Sequence, residues 1–249
     1  MALGRKVQLN TGHQMPVIGL GTWQSNPNEV QDAVSAALKC GYLGNGITAS
    51  GVPHEEIFLT SKLWNTDHDP ENVEAAVNRS LRDLQTDYLD LYLKTGLIDV
   101  VEVPIKDTWV AMEALVAKGK VRSIGVSNFT QEKIEDLLKT ARITPAVNQI
   151  EAHPYLQQRD LLEWSKKQGI IVTGYSPLGN NIYNIPRAVD DPLVIETAKT
   201  LGKTPAQVLI GWAVQRGTAV LPKSVTPERI QSNFEDFVLQ DDAFNAIQS

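Results

Sequence analysis

Val220-Leu-Pro-Lys-Ser-Val-Thr-Pro-Glu-Arg-Ile-Gln-Ser-Asn233 reads as the end of a buried strand, a short loop and the opening of a helix. Thr226 followed by Pro227 suits an N-cap and first helical residue, because that proline's missing N–H would have had no helical partner. Arg229 falls in the first turn, where the helix dipole disfavours a cation, and Lys223 stands just before the cap. Two cations at one helix start are explained if an anion, most naturally a phosphate, binds there. The competing reading is a solvated basic turn. The position of this stretch decides the fold. A doubly wound sheet carries its phosphate site in the first β/α turn, whereas barrels gather theirs after strands seven and eight.

Working outward, strand and helix alternate along the chain. Val7–Val17 reads as a hairpin around Asn10-Thr11-Gly12, and Ile18–Trp23 as a glycine-rich strand. A helix follows from about Asn28 to Cys40. Strands are then expected at Ile57–Lys62, Tyr88–Leu93, Val121–Ser127, Ala146–Glu151, Ile170–Tyr175 and Ala219–Leu221. Helices are expected at Pro70–Leu84, Ile105–Ala117, Gln131–Thr140, Gln157–Gln168, Pro192–Leu201 and Pro205–Arg216. Strand starts at 57, 88, 121, 146 and 170 are spaced as β/α units are, and the strands are apolar on both faces like buried parallel strands. No linker divides the chain. The fold class is therefore α/β, and residues 1–249 form one (β/α)8 TIM barrel with an N-terminal β-hairpin plugging its bottom.

The count falls short by one strand. Only 16 residues separate Cys40 from Ile57, too few for a strand, a helix and two loops. Cys40–Gly46 reads as one helix end joined to the tail of another, and a second join at Tyr92–Gly96 leaves little chemistry at the functional end of Tyr88–Leu93. We expect the polypeptide to carry further residues at both joins, and an intact mass several kDa above 27.4 kDa would show it.

Composition narrows the function. With 42% hydrophobic and 21% charged residues the chain is ordinary for a globular protein, and a net charge of −6 argues against nucleic acid or an anionic membrane as partner. No apolar run approaches the roughly 18 residues of a membrane span. The start leads into no secretory signal, and a single cysteine, Cys40, reads as a buried thiol in a reducing compartment, so the cytoplasm is expected. A monomer is expected.

In a barrel, function gathers at the C-terminal ends of the strands. There the strands turn polar, at Lys62 and Trp64, at Ser127 and Asn128, at Asn148, Gln149 and Glu151, and at Tyr175 and Ser176. Taken singly, each has a plain reading as a surface lysine, a helix cap or an edge aromatic. Together on one rim they describe a nicotinamide nucleotide site. Asn128 and Gln149 would hold a carboxamide, Tyr175 would stack on a ring, and Lys223 with Arg229 would take a phosphate. Gly19-Leu-Gly21 is too short to be a dinucleotide fingerprint. A metal-dependent barrel hydrolase finds no His pair with ligand spacing.

Gly19-Leu-Gly-Thr-Trp23, Thr60-Ser-Lys-Leu-Trp64, Gly125-Val-Ser-Asn-Phe129, Asn148-Gln-Ile-Glu151 with His153-Pro154, Gly174-Tyr-Ser-Pro-Leu-Gly179 and Leu221–Ile230 resemble the aldo-keto reductases, in the aldose reductase, aldehyde reductase and glycerol dehydrogenase branch. The resemblance implies a barrel that binds NADP(H) across its top with no metal, and reversible NADPH-dependent reduction of small aldehydes, ketones or sugar-like carbonyls. It makes Lys62 the catalytic lysine that lowers the pKa of a tyrosine acid. Ser127, Asn128 and Gln149 become the carboxamide trio and Tyr175 the stacking aromatic. Gly21, Thr22, Trp23 and Val225 join the cofactor site, Ser176 and Leu178 form the pyrophosphate loop, and Lys223, Ser224 and Arg229 clamp the 2′-phosphate with Asn233 near the adenine. Trp23 and Trp64 wall the substrate pocket. Ser232 departs from the family's usual glutamate. The family's aspartate and tyrosine on and after strand two, and its histidine after strand four, have no counterpart in Tyr42, His13, His54, His68 or His153. An alternative is therefore an NADP(H)-binding sensor or regulatory protein without turnover.

Overall fold

The computed structural model describes residues 4–39, 52–96, 103–180 and 185–249. The expectations for Cys40 and for the Cys40–Gly46 join lie outside the described residues.

The chain opens with a hairpin of β1 (Lys6–Gln8) and β2 (Gln14–Pro16), paired Val7 to Met15. After α1 (Pro27–Lys39) come β3 (Thr60–Leu63), α2 (Pro70–Leu84), β4 (Leu89–Thr95) and α3 (Ile105–Ala117). Next are β5 (Val121–Ser127), α4 (Gln131–Leu138), β6 (Val147–Glu151), α5 (Arg159–Lys167) and β7 (Ile171–Tyr175). The chain ends with α6 (Pro192–Leu201), α7 (Pro205–Gln215), β8 (Ala219–Leu221), α8 (Pro227–Asn233) and α9 (Asp241–Gln248). Strands β3 to β8 form one parallel sheet in sequence order.

Helix starts follow local chemistry. Asp69 accepts from the Glu71 N–H at 3.0 Å ahead of Pro70, and Asp191 accepts from the Leu193 N–H at 2.8 Å ahead of Pro192. Thr204 and Gln207 close a capping box around Pro205. The expected cap at Thr226 is only half right. Thr226 holds the N-cap position before Pro227, but its hydroxyl caps nothing, and Ser224 Oγ instead accepts from the Thr226 N–H at 3.1 Å.

The strand alternation sorts side chains between two cores. Leu91 and Leu93 of β4 face inward with Val147, Ala219 and the hairpin's Leu9 and Met15, so the hairpin closes the bottom of the sheet. Tyr92 faces outward with Ile124 and Val126, under Val73 and Val77 of α2 and Trp109 and Met112 of α3. A third core joins α6, α7, α8 and α9 to Ile18 and Val220.

Eight-strand closure is not seen among the described residues. The expected strand Ile18–Trp23 is reduced to two parallel bridges, Ile18 with Val220 and Gly21 with Lys223. It lies beside β8, so seven parallel segments run from Ile18–Gly21 through β8 to β3. Among the described residues the Ile18–Gly21 segment and β3 are the two edges of this sheet, and the break lies between them. The strand expected to end at Leu93 instead runs on to Thr95.

Candidate active site

The top of the sheet collects most of the predicted residues. Three of the five described non-glycine residues with left-handed backbone stand there: Gln24 (φ 56°) after the first segment, Asn128 (φ 60°) after β5 and Ser176 (φ 49°) after β7. Such conformations cost on the order of 1 kcal/mol each and cluster where a side chain or N–H must be aimed. Ser127 is buried and donates from Oγ to the Gln149 carbonyl at 2.9 Å, which also accepts the Asn128 N–H at 2.9 Å. Tyr175 donates from its hydroxyl to Asn128 Oδ1 at 2.9 Å, locking the ring against the amide. Burial, with the Glu151 charge beside it, pushes the Tyr175 phenol above its ordinary pKa, so it remains a neutral donor. The Gln149 side-chain amide has no protein partner among the described residues. A buried amide without a protein partner among the described residues, close to a held aromatic, offers the donor and acceptor that a planar carboxamide ring requires. Asn148, by contrast, turns away and donates to the Phe129 carbonyl at 2.9 Å.

On the other flank, Gly21 bridges Lys223, and a Cβ on Gly21 would come within 3.1 Å of the Leu221 carbonyl. Glycine lets the two backbones approach closely here without a tight side-chain contact. Lys223 is exposed and donates to the Gln24 carbonyl at 3.3 Å, and Arg229 is exposed. Neither cation is paired with a carboxylate among the described residues. That donor set fits a phosphate. Val225 is exposed between them, Thr22 and Ser176 are half-buried, and Leu178 packs on the core beneath its loop. Asn233 is buried at the end of α8, and Ser232 Oγ turns back to the Arg229 carbonyl at 3.2 Å.

Lys62 rises from β3 on the far side of the break, in register with Leu93. It reaches solvent, yet the surrounding walls strip away enough bulk water to hold its ammonium below the usual lysine pKa. Trp23 and Trp64 are exposed and stack at 5.4 Å between ring centres, so they bridge the break from its two sides.

One group was missed by the sequence reading. The end of β4 holds a fully buried Lys94, whose Nζ lies 3.0 Å from His68 Nδ1, and His68 Nε2 lies 3.4 Å from Thr95 Oγ1. Thr95 also donates to the Leu63 carbonyl at 2.9 Å and pairs in register with Ser127. Far from lacking chemistry, the end of this strand carries a polar network next to the carboxamide residues. The available signal was a lysine inside the otherwise apolar run Leu91-Tyr-Leu-Lys94.

Comparison with known proteins finds relatives along most of the chain. A model of the Aldo/keto reductase family matches residues 42–249. Aldo-keto reductase family 1 member A1 of Cricetulus griseus is 43% identical over 272 residues, covering 93% of this chain and 84% of the relative. Aldo-keto reductase family 4 member C11 of Arabidopsis thaliana is 45% identical over 260 residues, covering 92% and 82%. The solved aldose reductase from Schistosoma japonicum superposes with a TM-score of 0.90 at 38% identity, covering 98% of this chain and 91% of that one. Both sequence matches run longer than the 249 residues present here, so these relatives carry internal residues with no counterpart in this chain.

Proposed function

Because the chain belongs to the aldo/keto reductase family, a family of oxidoreductases, we propose that it reduces small aldehydes and ketones to alcohols with NADPH, reversibly and as a cytoplasmic monomer. The observation that carries this reading is the shared rim. Ser127, Asn128 and Gln149 gather beside the Tyr175 ring after β5, β6 and β7, and Lys223 and Arg229, which pair with no carboxylate among the described residues, follow β8.

NADPH, when bound, supplies the hydride. Ser127, Asn128 and Gln149 would orient the nicotinamide carboxamide, Tyr175 would cover one ring face and leave the other toward the substrate, and Lys223, Ser224 and Arg229 would hold the 2′-phosphate. Trp23 and Trp64 would form apolar walls and exclude water from the carbonyl. Lys62 would place positive charge where the carbonyl oxygen gains negative charge, directly or by lowering the pKa of a phenol as the family resemblance implies.

Stacking gives a smaller prediction. Tyr175→Ala should weaken NADPH binding about tenfold, since an aromatic contact contributes about 1 kcal/mol beyond its area. Tyr175→Phe, which keeps the ring and loses only the bond to Asn128, should stay within about threefold of the parent. Fluorescence titration checks both.

The proposal as a whole is tested by following NADPH oxidation with glyceraldehyde and a nitrobenzaldehyde, beside a binding titration. Turnover with both supports a reductase. Saturable NADPH binding with no turnover would instead favour a sensor or regulatory protein on this fold.

A further inference from the structure

We infer that the end of the sheet remote from the nucleotide rim carries a second binding site, for phosphate or a small phosphate monoester. A cavity of about 530 Å³ opens there between the hairpin tip, the start of β5 and the loop before β6, lined by Asn10, Thr11, His13, Arg122, Ser123 and Arg142 among others. Among the described residues no Asp or Glu lines it, although the chain as a whole carries a net charge of −6.

Its two arginines are held in place from behind. Arg122 donates from Nη1 to Asp90 Oδ1 at 2.9 Å and lies 4.0 Å from the centre of the Tyr88 ring. Arg142 donates from Nε to Glu113 Oε2 at 3.0 Å, while Glu113 Oε1 accepts the backbone N–H groups of Arg142 at 2.7 Å and Ile143 at 2.9 Å. Both carboxylates are buried. Each guanidinium thus has one edge engaged by a carboxylate and further N–H donors left for the cavity. The hairpin tip is pinned as well, by Asn10 Nδ2 on the Pro145 carbonyl at 3.1 Å and by Thr11 Oγ1 against Ser123 Oγ at 2.8 Å.

Donors already engaged by buried carboxylates suit a multi-oxygen anion, because part of their side-chain freedom is spent before binding, even though the Arg142 side chain is largely exposed. A neutral apolar ligand would strand these donors, and a cation would meet the arginines directly. Asp90 and Glu113 offset part of the cationic charge, so affinity should come from directional hydrogen bonds rather than from net charge.

This site is independent of the reductase reading, and its test keeps the two apart. Inorganic phosphate would also bind at the proposed 2′-phosphate clamp, so the parent for the experiment is the Lys223→Ala, Arg229→Ala double variant. Titrated calorimetrically at constant ionic strength balanced with chloride, this parent should bind phosphate saturably at one site. Adding Arg142→Gln should weaken that binding about tenfold, the change expected for one charge-assisted hydrogen bond. Thr11→Val, read in its place if the first variant melts early, should weaken it as well. Absence of saturable binding by the parent, or unchanged affinity in the folded variants, would overturn the inference.

Discussion

Lys223→Ala combined with Arg229→Ala is expected to weaken NADPH binding about 100-fold and to change NADH binding by less than about twofold, because the two charge-assisted hydrogen bonds removed exist only where a 2′-phosphate is present. Both cations are exposed, and neither serves a carboxylate among the described residues. Removing them strands no buried partner; the Gln24 carbonyl, which accepts from Lys223, would turn to solvent instead. The effect should shrink as salt rises, since exposed charges are screened over about 10 Å at 0.1 M ionic strength. Equal losses for the two nucleotides would show that the turn acts on something common to both and would remove the assignment to the 2′-phosphate.

The second large effect concerns the wall rather than the mouth. Trp109→Ala is expected to reduce unfolding free energy by about 4 kcal/mol, the range for truncating a buried large aromatic. Trp109 is 1% exposed, packs beneath α3 against the outer face of β4 and β5, and donates from Nε1 to the Ile143 carbonyl at 3.0 Å. The variant therefore opens a cavity and leaves that carbonyl without its donor. Against a total stability of about 5–15 kcal/mol the loss is large, and a urea titration should show a lower midpoint with an unchanged slope. A cost below about 1 kcal/mol would mean that the core between sheet and helices is loosely packed.

Much of this wall was legible before any coordinates, because its signals are local. Pro70, Pro192 and Pro205 each follow a residue able to cap, and all three start helices where expected. Val121–Ser127 runs as an unbroken strand, buried almost throughout, whose Val121, Ile124 and Val126 join the core beneath α2 and α3. The features that escaped depend on what the chain meets elsewhere. Ile18–Trp23 has strand composition, but among the described residues it finds a partner on one side only, so pairing is confined to two bridges with β8. Helix α9 is eight residues long, too short to hold itself, and forms because Phe244 and Ile247 pack on the core of α6 and α7. The Lys94–His68 contact joins residues 26 apart in sequence and could not be read from either neighbourhood.

The site was legible to the same degree and for the same reason. Ser127, Asn128, Gln149 and Tyr175 come from three strands whose ends the β/α period aligns, and they do meet. What local pattern cannot supply is aim. Asn148 and Gln149 are equally polar neighbours on β6, yet alternation sends the first outward to Phe129 and leaves the second in the mouth. The stack of Trp23 on Trp64 joins the Ile18–Gly21 segment to β3, the two edges of the described sheet, which no local pattern brings together.

Cofactor choice can be measured without reference to catalysis. Equilibrium titration of the 249-residue chain with NADPH and with NADH, following intrinsic tryptophan fluorescence at low ionic strength, should give one saturable site per chain that prefers NADPH by about 100-fold, as expected from two added charge-assisted hydrogen bonds. No saturable binding, or the same affinity for both nucleotides, would contradict an NADP(H) site on this rim.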